Sequence, residues 1–328
     1  MKAMVLAAGL GTRLKPITFE IPKPMVPVLD RPVMAHIVNL LTSQGFDDLI
    51  ANLHYFPNSI KNYFGDSLTY SYEEELLGTA GGVRNVADFF GDDPIVIISG
   101  DALTDIDLRK LLDRHHSAGG IATLTVKKVS DTREYGVVIH DVDGRIQGFQ
   151  EKPDPAEALS DLGNCGIYVF SPEIFDYFPD RPFVDWAQDV FPTLLENDVP
   201  FYVHEIDEYW NDVGSLHELK SGTFDALEGK LRLERSGAQL DEGLFVGEGT
   251  ELEDVTFVGP PVWIGRDCEI GVGTRLMGPL VIGDNSKIGD TSALRDSIIF
   301  PGTELAAGTL LIDAIAGHVG IAESLREP

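Results

Sequence analysis

LAAGLGTRLKPITFEIPKP, Leu6 to Pro24, carries an aliphatic run into a glycine-rich turn and then spaces Arg13, Lys15 and Lys23 along the chain that follows. With the two residues before it, the run reads MVLAA (Met4 to Ala8), which is expected to form a strand buried on both faces. Gly9 and Gly11 lack a Cβ, so the chain can turn sharply there and bring backbone N–H groups to an anion. Such amides, with an Arg for bidentate contact and a Lys as a point charge, make a phosphate cradle. A dinucleotide turn of the G-x-G-x-x-G kind competes with this reading, but Leu14 stands where the third glycine is required. A purely structural turn would leave Arg13 and Lys23 unexplained.

The basic loop is set against an acidic whole. The 328 residues carry 25 Lys+Arg and 53 Asp+Glu, a formal net charge of −28, yet Met1 to Met34 holds five basic residues and two acidic ones. Nucleic acid and anionic membranes need a basic face, so neither is expected as a partner. The length suggests two domains, and 43% hydrophobic residues with 34 Gly and 19 Pro indicate a folded, turn-rich chain. No signal peptide is read at Met1-Lys2, and no apolar run approaches the roughly 18 residues that span a bilayer. Cys165 and Cys268 fall in separate expected domains, so a disulfide framework is not expected and the reducing cytoplasm is the expected location.

Met4 to Ala8, Asp48 to Leu53 and Pro94 to Ser99 read as strands, and Val33 to Gln44, Ala80 to Phe90 and Leu108 to His116 have helical spacing. This alternation predicts a three-layer α/β domain with a mixed, mainly parallel sheet, whose ligands bind beyond the carboxyl ends of the strands. Beyond Ile121 the texture changes: Tyr135 to His140 and Arg145 to Gln150 flank the turn Asp143-Gly144 as a hairpin. Ser215 to Arg232 is expected as a terminal helix.

A different periodicity follows. Every sixth residue from Val246 is apolar: Val246, Leu252, Val258, Ile264, Ile270, Leu276, Ile282, Ile288, Leu294 and Phe300, with Gly directly after five of them. An aliphatic-Gly hexapeptide is the sequence sign of a parallel β-helix, with three hexapeptides to a coil. About three coils fit this segment. Acyl transfer by a hexapeptide-repeat enzyme would call for a histidine in the coils, and none occurs between Val246 and Phe300. The stretch from Ala306 to Pro328 has no reading.

Asp101 follows the strand PIVII, and Asp212 lies in WNDVG after FYVHEI. Two carboxylates suffice for a nucleotide-bound Mg²⁺, since phosphates and water complete its shell. Asp101 could equally cap the next helix, with Asp105 and Asp107 as competitors. By composition, Glu151-Lys152-Pro153 is a solvated turn, and LLGTAGG (Leu76 to Gly82) is a helix start.

On these motifs the sequence resembles the nucleoside-diphosphate-sugar pyrophosphorylases, or sugar-1-phosphate nucleotidylyltransferases, whose glycine loop runs into GTRL, a Pro-Thr pair and Pro-Lys-Pro. Here the motif reads GLGTRLKPIT and IPKP. The resemblance implies a Rossmann-like nucleotidyltransferase domain over residues 1–235 and a left-handed β-helix over 236–328. It implies that Leu6, Ala8, Gly9, Gly11, Thr12, Gly78 and Thr79 contact the nucleotide, that Arg13 and Lys23 stabilise its departing pyrophosphate, and that Asp101 and Asp212 hold Mg²⁺. Lys152 would bind the phosphate of the sugar, and Glu151, Gly136 and Asn164 the sugar itself. Arg13, Lys23, Lys152 and Asp101 are the implied catalytic set.

The implied substrates are a nucleoside triphosphate and a hexose 1-phosphate, in a homo-oligomer. EEELLGTAGG, EYGVV and NCGIYVF most resemble mannose-1-phosphate guanylyltransferases with a β-helix tail. A glucose-1-phosphate enzyme using UTP, dTTP or GTP is the alternative, and a silent regulatory subunit that binds nucleotide sugar is a third.

Overall fold

The aliphatic run at the start of the chain is buried on both faces, for Ala3, Met4 and Val5 are each 0% exposed in strand β1 (Lys2–Leu6). The strand stops at Leu6, so Ala7 and Ala8, expected inside it, belong to the turn. The computed structural model describes residues 1–233, 237–252, 254–317 and 320–323. The chain divides into two compact units, Met1–Gly9 with Ile37–Trp210, and Leu10–His36 with Asn211–Pro328. The expected boundary at 235 and 236 lies outside the described residues. Among the described residues no helix is long and apolar enough to cross a membrane.

The first unit is built on one sheet of β1, β2 (Asp48–Leu53), β3 (Thr69–Tyr72), β4 (Ile95–Ser99), β5 (Ala122–Lys128), β6 (Gly136–His140), β7 (Ile146–Glu151), β8 (Leu162–Phe170) and β9 (Tyr202–Glu205). Across it the order is β7-β6-β8-β4-β1-β2-β3, with β5 paired to β8 and β9 to β5. β1 is parallel to β2 and β4, β2 to β3, and β5 to β9. β8 is antiparallel to β4, β5 and β6, and β6 to β7.

The sheet is mixed, as expected, but parallel pairing does not predominate. Helix α1 (Val33–Ser43) lies in the connection between β1 and β2, and such crossovers permit parallel neighbours. Gly144, at φ +83° in the tight turn between β6 and β7, allows only the antiparallel return. The helix expected over Ala80 to Phe90 is broken into α2 (Gly78–Arg84) and a one-turn helix, Ala87–Phe90, because Val86 leaves helical geometry at φ −120°, ψ 22°. Helix α3 (Leu108–Ala118) runs close to its expected limits. Met4, Ile95, Ile97, Leu124, Val138 and Phe170 belong to one continuous apolar core.

In the second unit, helix α4 (Leu216–Glu228) starts at Ser215, whose hydroxyl accepts from the Glu218 N–H at 3.2 Å, and stops at Gly229 in the left-handed conformation. It is shorter than Ser215 to Arg232 because that glycine ends it. Parallel strands follow, β10 (Leu244–Val246), β11 (Val262–Ile264), β12 (Arg275–Ile282), β13 (Ala293–Ile299) and β14 (Ala314–Gly317). Val246 pairs with Ile264 and Ile264 with Ile282, a step of eighteen residues or three hexapeptides.

The period then changes. Ile282 pairs with Ile299 and Ile299 with Ala316, a step of seventeen. Between Met277 and Leu280 two residues make the corner, whereas between Arg295 and Ser297 Asp296 makes it alone, at φ +50°. Ile299, 1% exposed, therefore takes the core position expected for Phe300. The tail without a sequence reading extends the ladders through Leu310–Ile312 and β14, and Gly320–Glu323 pairs back onto β14 antiparallel.

Ile299→Ala is expected to lower the unfolding free energy by about 2–5 kcal/mol, the range for emptying a packed aliphatic site. Val272→Ala, at a position 58% exposed, should cost less than about 0.5 kcal/mol in the same urea titration.

Candidate active site

The end of β1 is held close to the end of β4. Gly100 N–H donates to Leu6 O at 2.9 Å, and a Cβ on Gly100 would come within 2.8 Å of Val5 Cγ1. This places Asp101 beside Leu6 and Ala7 at the carboxyl ends of two adjacent parallel strands, where open α/β sheets bind ligands. Asp101 Oδ1 accepts from the Ser99 hydroxyl. It does not cap the next helix, because Asp107 does so by accepting from Arg109 N–H and Lys110 N–H, and Asp105 accepts from Tyr209 N–H.

Asn164 reaches the same strand end through a bulge in β8. The register shifts between Asn164 and Tyr168, where Gly166 adopts φ +69° with its Cα side facing Ser99. Asn164 Nδ2 donates to the Tyr168 hydroxyl at 2.9 Å and Oδ1 accepts from Gly166 N–H at 3.2 Å. Burial pushes the Tyr168 phenol well above its ordinary range, so its proton stays on. Gly136 and Glu151 are cross-strand partners in the hairpin, and a Cβ on Gly136 would lie 3.4 Å from Glu151 Oε2. Lys152 follows with φ +45° and its N–H on Tyr135 O at 3.2 Å, leaving its side chain exposed.

Gly78 and Thr79 open α2 against a second segment. A Cβ on Gly78 would meet Val184 O at 2.4 Å, and Ala80 and Gly81 N–H both donate to that same oxygen. The Thr79 hydroxyl donates to Asp185 Oδ2 at 2.8 Å and accepts from Trp186 N–H at 3.1 Å. Any nucleotide contact here therefore falls to the backbone. Leu6 and Ala8 flank Ala7, whose N–H donates to Asn52 Oδ1 at 2.9 Å.

The loop residues Arg13 and Lys23 lie in the second unit, and Lys152 in the first. Lys23, 8% exposed, donates from Nζ to the Asp212 carbonyl oxygen at 2.8 Å, and Arg13 Nη2 lies 3.6 Å from Asp212 Oδ2. A Cβ on Gly214 would come within 2.8 Å of Arg13 Nη1, Asp212 Oδ2 and Glu218 Oε2, so α4 brings a second carboxylate to the guanidinium. Gly11, at φ +60°, has no room for a side chain beside Lys23 Cβ at 2.9 Å, and its carbonyl accepts from the Thr18 hydroxyl. Thr12 and Arg13 are exposed in the short helix that follows. Gly9 has no atom within 4 Å of an added Cβ and no positive φ, so only the second loop glycine is required by the backbone.

Asn52, Glu73, Asp185 and Glu218 were not singled out from the sequence. Only Glu73 of the run Glu73-Glu74-Glu75 is buried, which a charge run does not disclose. The signal for Glu218 was present as S-x-x-E at Ser215, the capping-box pattern. Among the described residues no three His, Cys, Asp or Glu side chains converge to hold a metal by themselves.

Residues 2–228 match the family model described as Nucleotidyl transferase. The chain is 36% identical over 336 residues to the UTP–glucose-1-phosphate uridylyltransferase of Synechocystis sp., covering 96% of this chain and 87% of that one. It is 34% identical over 291 residues to the mannose-1-phosphate guanylyltransferase of Mycobacterium tuberculosis, covering 85% and 79%. A solved structure from Bacillus anthracis, provisionally assigned as a glucose-1-phosphate thymidylyltransferase and crystallised with a sucrose, superposes with a TM-score of 0.63 at 25% identity, over 72% of this chain and 98% of that one.

The two loop glycines separate in a stability measurement. Gly11→Ala should lose about 1–3 kcal/mol from strain at positive φ and overpacking, while Gly9→Ala should stay within about 0.5 kcal/mol of the parent in thermal melts.

Proposed function

The chain belongs to the nucleotidyl transferase family, and from that premise we propose that it transfers the guanylyl group of GTP to mannose 1-phosphate, giving GDP-mannose and pyrophosphate. The observation that carries the reaction class is the family match through residues 2–228, together with Arg13 and Lys23 drawn around Asp212 in a chain otherwise strongly acidic. The mannose-1-phosphate guanylyltransferase relative and the stretches EEELLGTAGG, EYGVV and NCGIYVF support the substrate pair. Glucose 1-phosphate with UTP is the second reading, favoured by the uridylyltransferase relative that aligns over nearly the whole chain.

In this reading a phosphate oxygen of the sugar 1-phosphate attacks the α-phosphorus in line and pyrophosphate leaves. The nucleophile is already an anion, so no general base is required, and the protein has to bring two anions together and stabilise the leaving group. Lys152 binds the sugar phosphate, and its exposed side chain beyond β7 suits that role. Glu151, Gly136 and Asn164 hold the sugar. Arg13, Lys23 and the amides of Gly9, Gly11 and Thr12 take the departing charge, while the backbone at Leu6, Ala8, Gly78 and Thr79 faces the base and ribose.

Asp101 and Asp212 each carry the hard carboxylate oxygens that Mg²⁺ takes, and the family resemblance assigns the ion to them. When bound, Mg²⁺ supplies charge neutralisation on the triphosphate. The C-terminal ladders, with steps of eighteen and then seventeen residues, are compatible with a β-helix. Its left hand and a homo-oligomeric state rest on the family resemblance, and a cytoplasmic location on the placing of the two cysteines in separate expected domains.

Pyrophosphate release should be measured with GTP, UTP, dTTP, ATP and CTP against mannose and glucose 1-phosphates, with Mg²⁺. Release is expected with GTP and mannose 1-phosphate, lost in Asp101→Ala, and Arg13→Ala should lower kcat by about 10²–10³-fold. Release with UTP and glucose 1-phosphate instead would select the second reading, and silence across all pairs would refute both.

A further inference from the structure

Glu73 is 5% exposed, and its carboxylate serves no step in the proposed chemistry. Oε1 accepts from Asn52 Nδ2 at 2.7 Å, and Oε2 accepts from the Leu77 backbone N–H at 2.9 Å. Asn52, 3% exposed, accepts in turn on Oδ1 from Ala7 N–H at 2.9 Å. The chain of bonds therefore joins the turn after β1 to the residue preceding Gly78. Glu73 is itself pinned, with its N–H on Leu53 O and its carbonyl 2.9 Å from His54 Nδ1. Gly82 leaves no slack, because an added Cβ would lie 2.6 Å from Glu73 Oε1 and 2.9 Å from Asn52 Nδ2.

Withdrawing a carboxylate from water is unfavourable unless its oxygens are fully engaged. Simple docking of two loops could be achieved by apolar contact. A buried acceptor adds direction, since it fixes where two particular N–H groups point. Both segments it joins are those assigned to the base and ribose.

We propose that Asn52 and Glu73 are positioning residues that lock Ala7 and Leu77 in one relative placement, so that the backbone at Leu6, Ala8 and Gly78 forms a preorganised nucleotide seat. This rests on the nucleotidyl-transfer reading above. Ala7 and Leu77 N–H are turned into the clamp and do not bind the ligand.

The polarity of the clamp gives a test that volume alone cannot mimic. Asn52→Asp sets two carboxylates against each other, and Glu73→Gln sets an amide NH₂ against the donors it must accept from. In the double variant the introduced carboxylate accepts from both Ala7 N–H and the introduced amide, whose oxygen still accepts from Leu77 N–H. Each single exchange should raise the KM for the nucleoside triphosphate at least about tenfold and alter the KM for the sugar 1-phosphate less than about twofold, and the double variant should return to within about threefold of the parent.

A double variant as impaired as the worse single one would overturn the proposal. So would a change of preferred base that persists in the double variant, because Glu73 would then touch the base itself. Gly82→Ala keeps both residues and wedges them apart, so it serves if a single exchange does not fold, and an unchanged nucleotide KM in it would count against the clamp. Amide exchange at Ala7 and Leu77 needs no turnover: protection should fall in the single variants and recover in the double one. Failure of that recovery sinks the clamp, whereas absence of turnover in the parent sinks only the functional reading.

Discussion

The ammonium of Lys23, buried and donating to the Asp212 carbonyl, ties together two stretches separated by 189 residues of chain. A buried ammonium is tolerable only when its donors are satisfied, so this bond constrains where both stretches can lie. Arg13 is brought to Asp212 by the same closure, and Gly11 must be glycine because Lys23 Cβ occupies the space a side chain would take. The loop is thus shaped around its lysine as much as around its glycines.

Charge explains why the loop is built with such economy. The chain carries a net −28 and is proposed to handle two polyanionic substrates, so favourable potential has to be created locally. Arg13 keeps much of its side chain in solvent, while Lys23 is drawn inward. Around the ends of β1 and β4 and the start of α2 the fixed groups are mainly backbone: Gly100 N–H on Leu6 O, Gly78 against Val184, and Thr79 with its hydroxyl already committed to Asp185. Such fixed dipoles need little reorganisation when a ligand arrives.

The C-terminal strands show how far a repeat can be trusted. From Val246 to Ile282 the six-residue rule and the ladder agree, because each corner has the same number of residues. At Asp296 one residue does the work of two, and the core position moves from Phe300 to Ile299. Phe300 is apolar in any case, so the rule kept matching while the structure had already slipped by one. The same shorter step hid the continuation through Leu311 and Ala316.

The sequence by itself determined what is local or periodic. The buried strand, the glycine turn, the Asp143-Gly144 hairpin, the Ser215 helix start and the eighteen-residue ladder each depend on neighbours in the chain, and their residue types state them directly. Only the tertiary structure decided the direction of pairing around β8, the burial of Glu73 among exposed glutamates, and the engagement of Asn52, Asp185 and Glu218. Those depend on contacts between residues far apart in sequence. A carboxylate in a charged run has the same composition whether water or two buried N–H groups surround it, and only the fold says which.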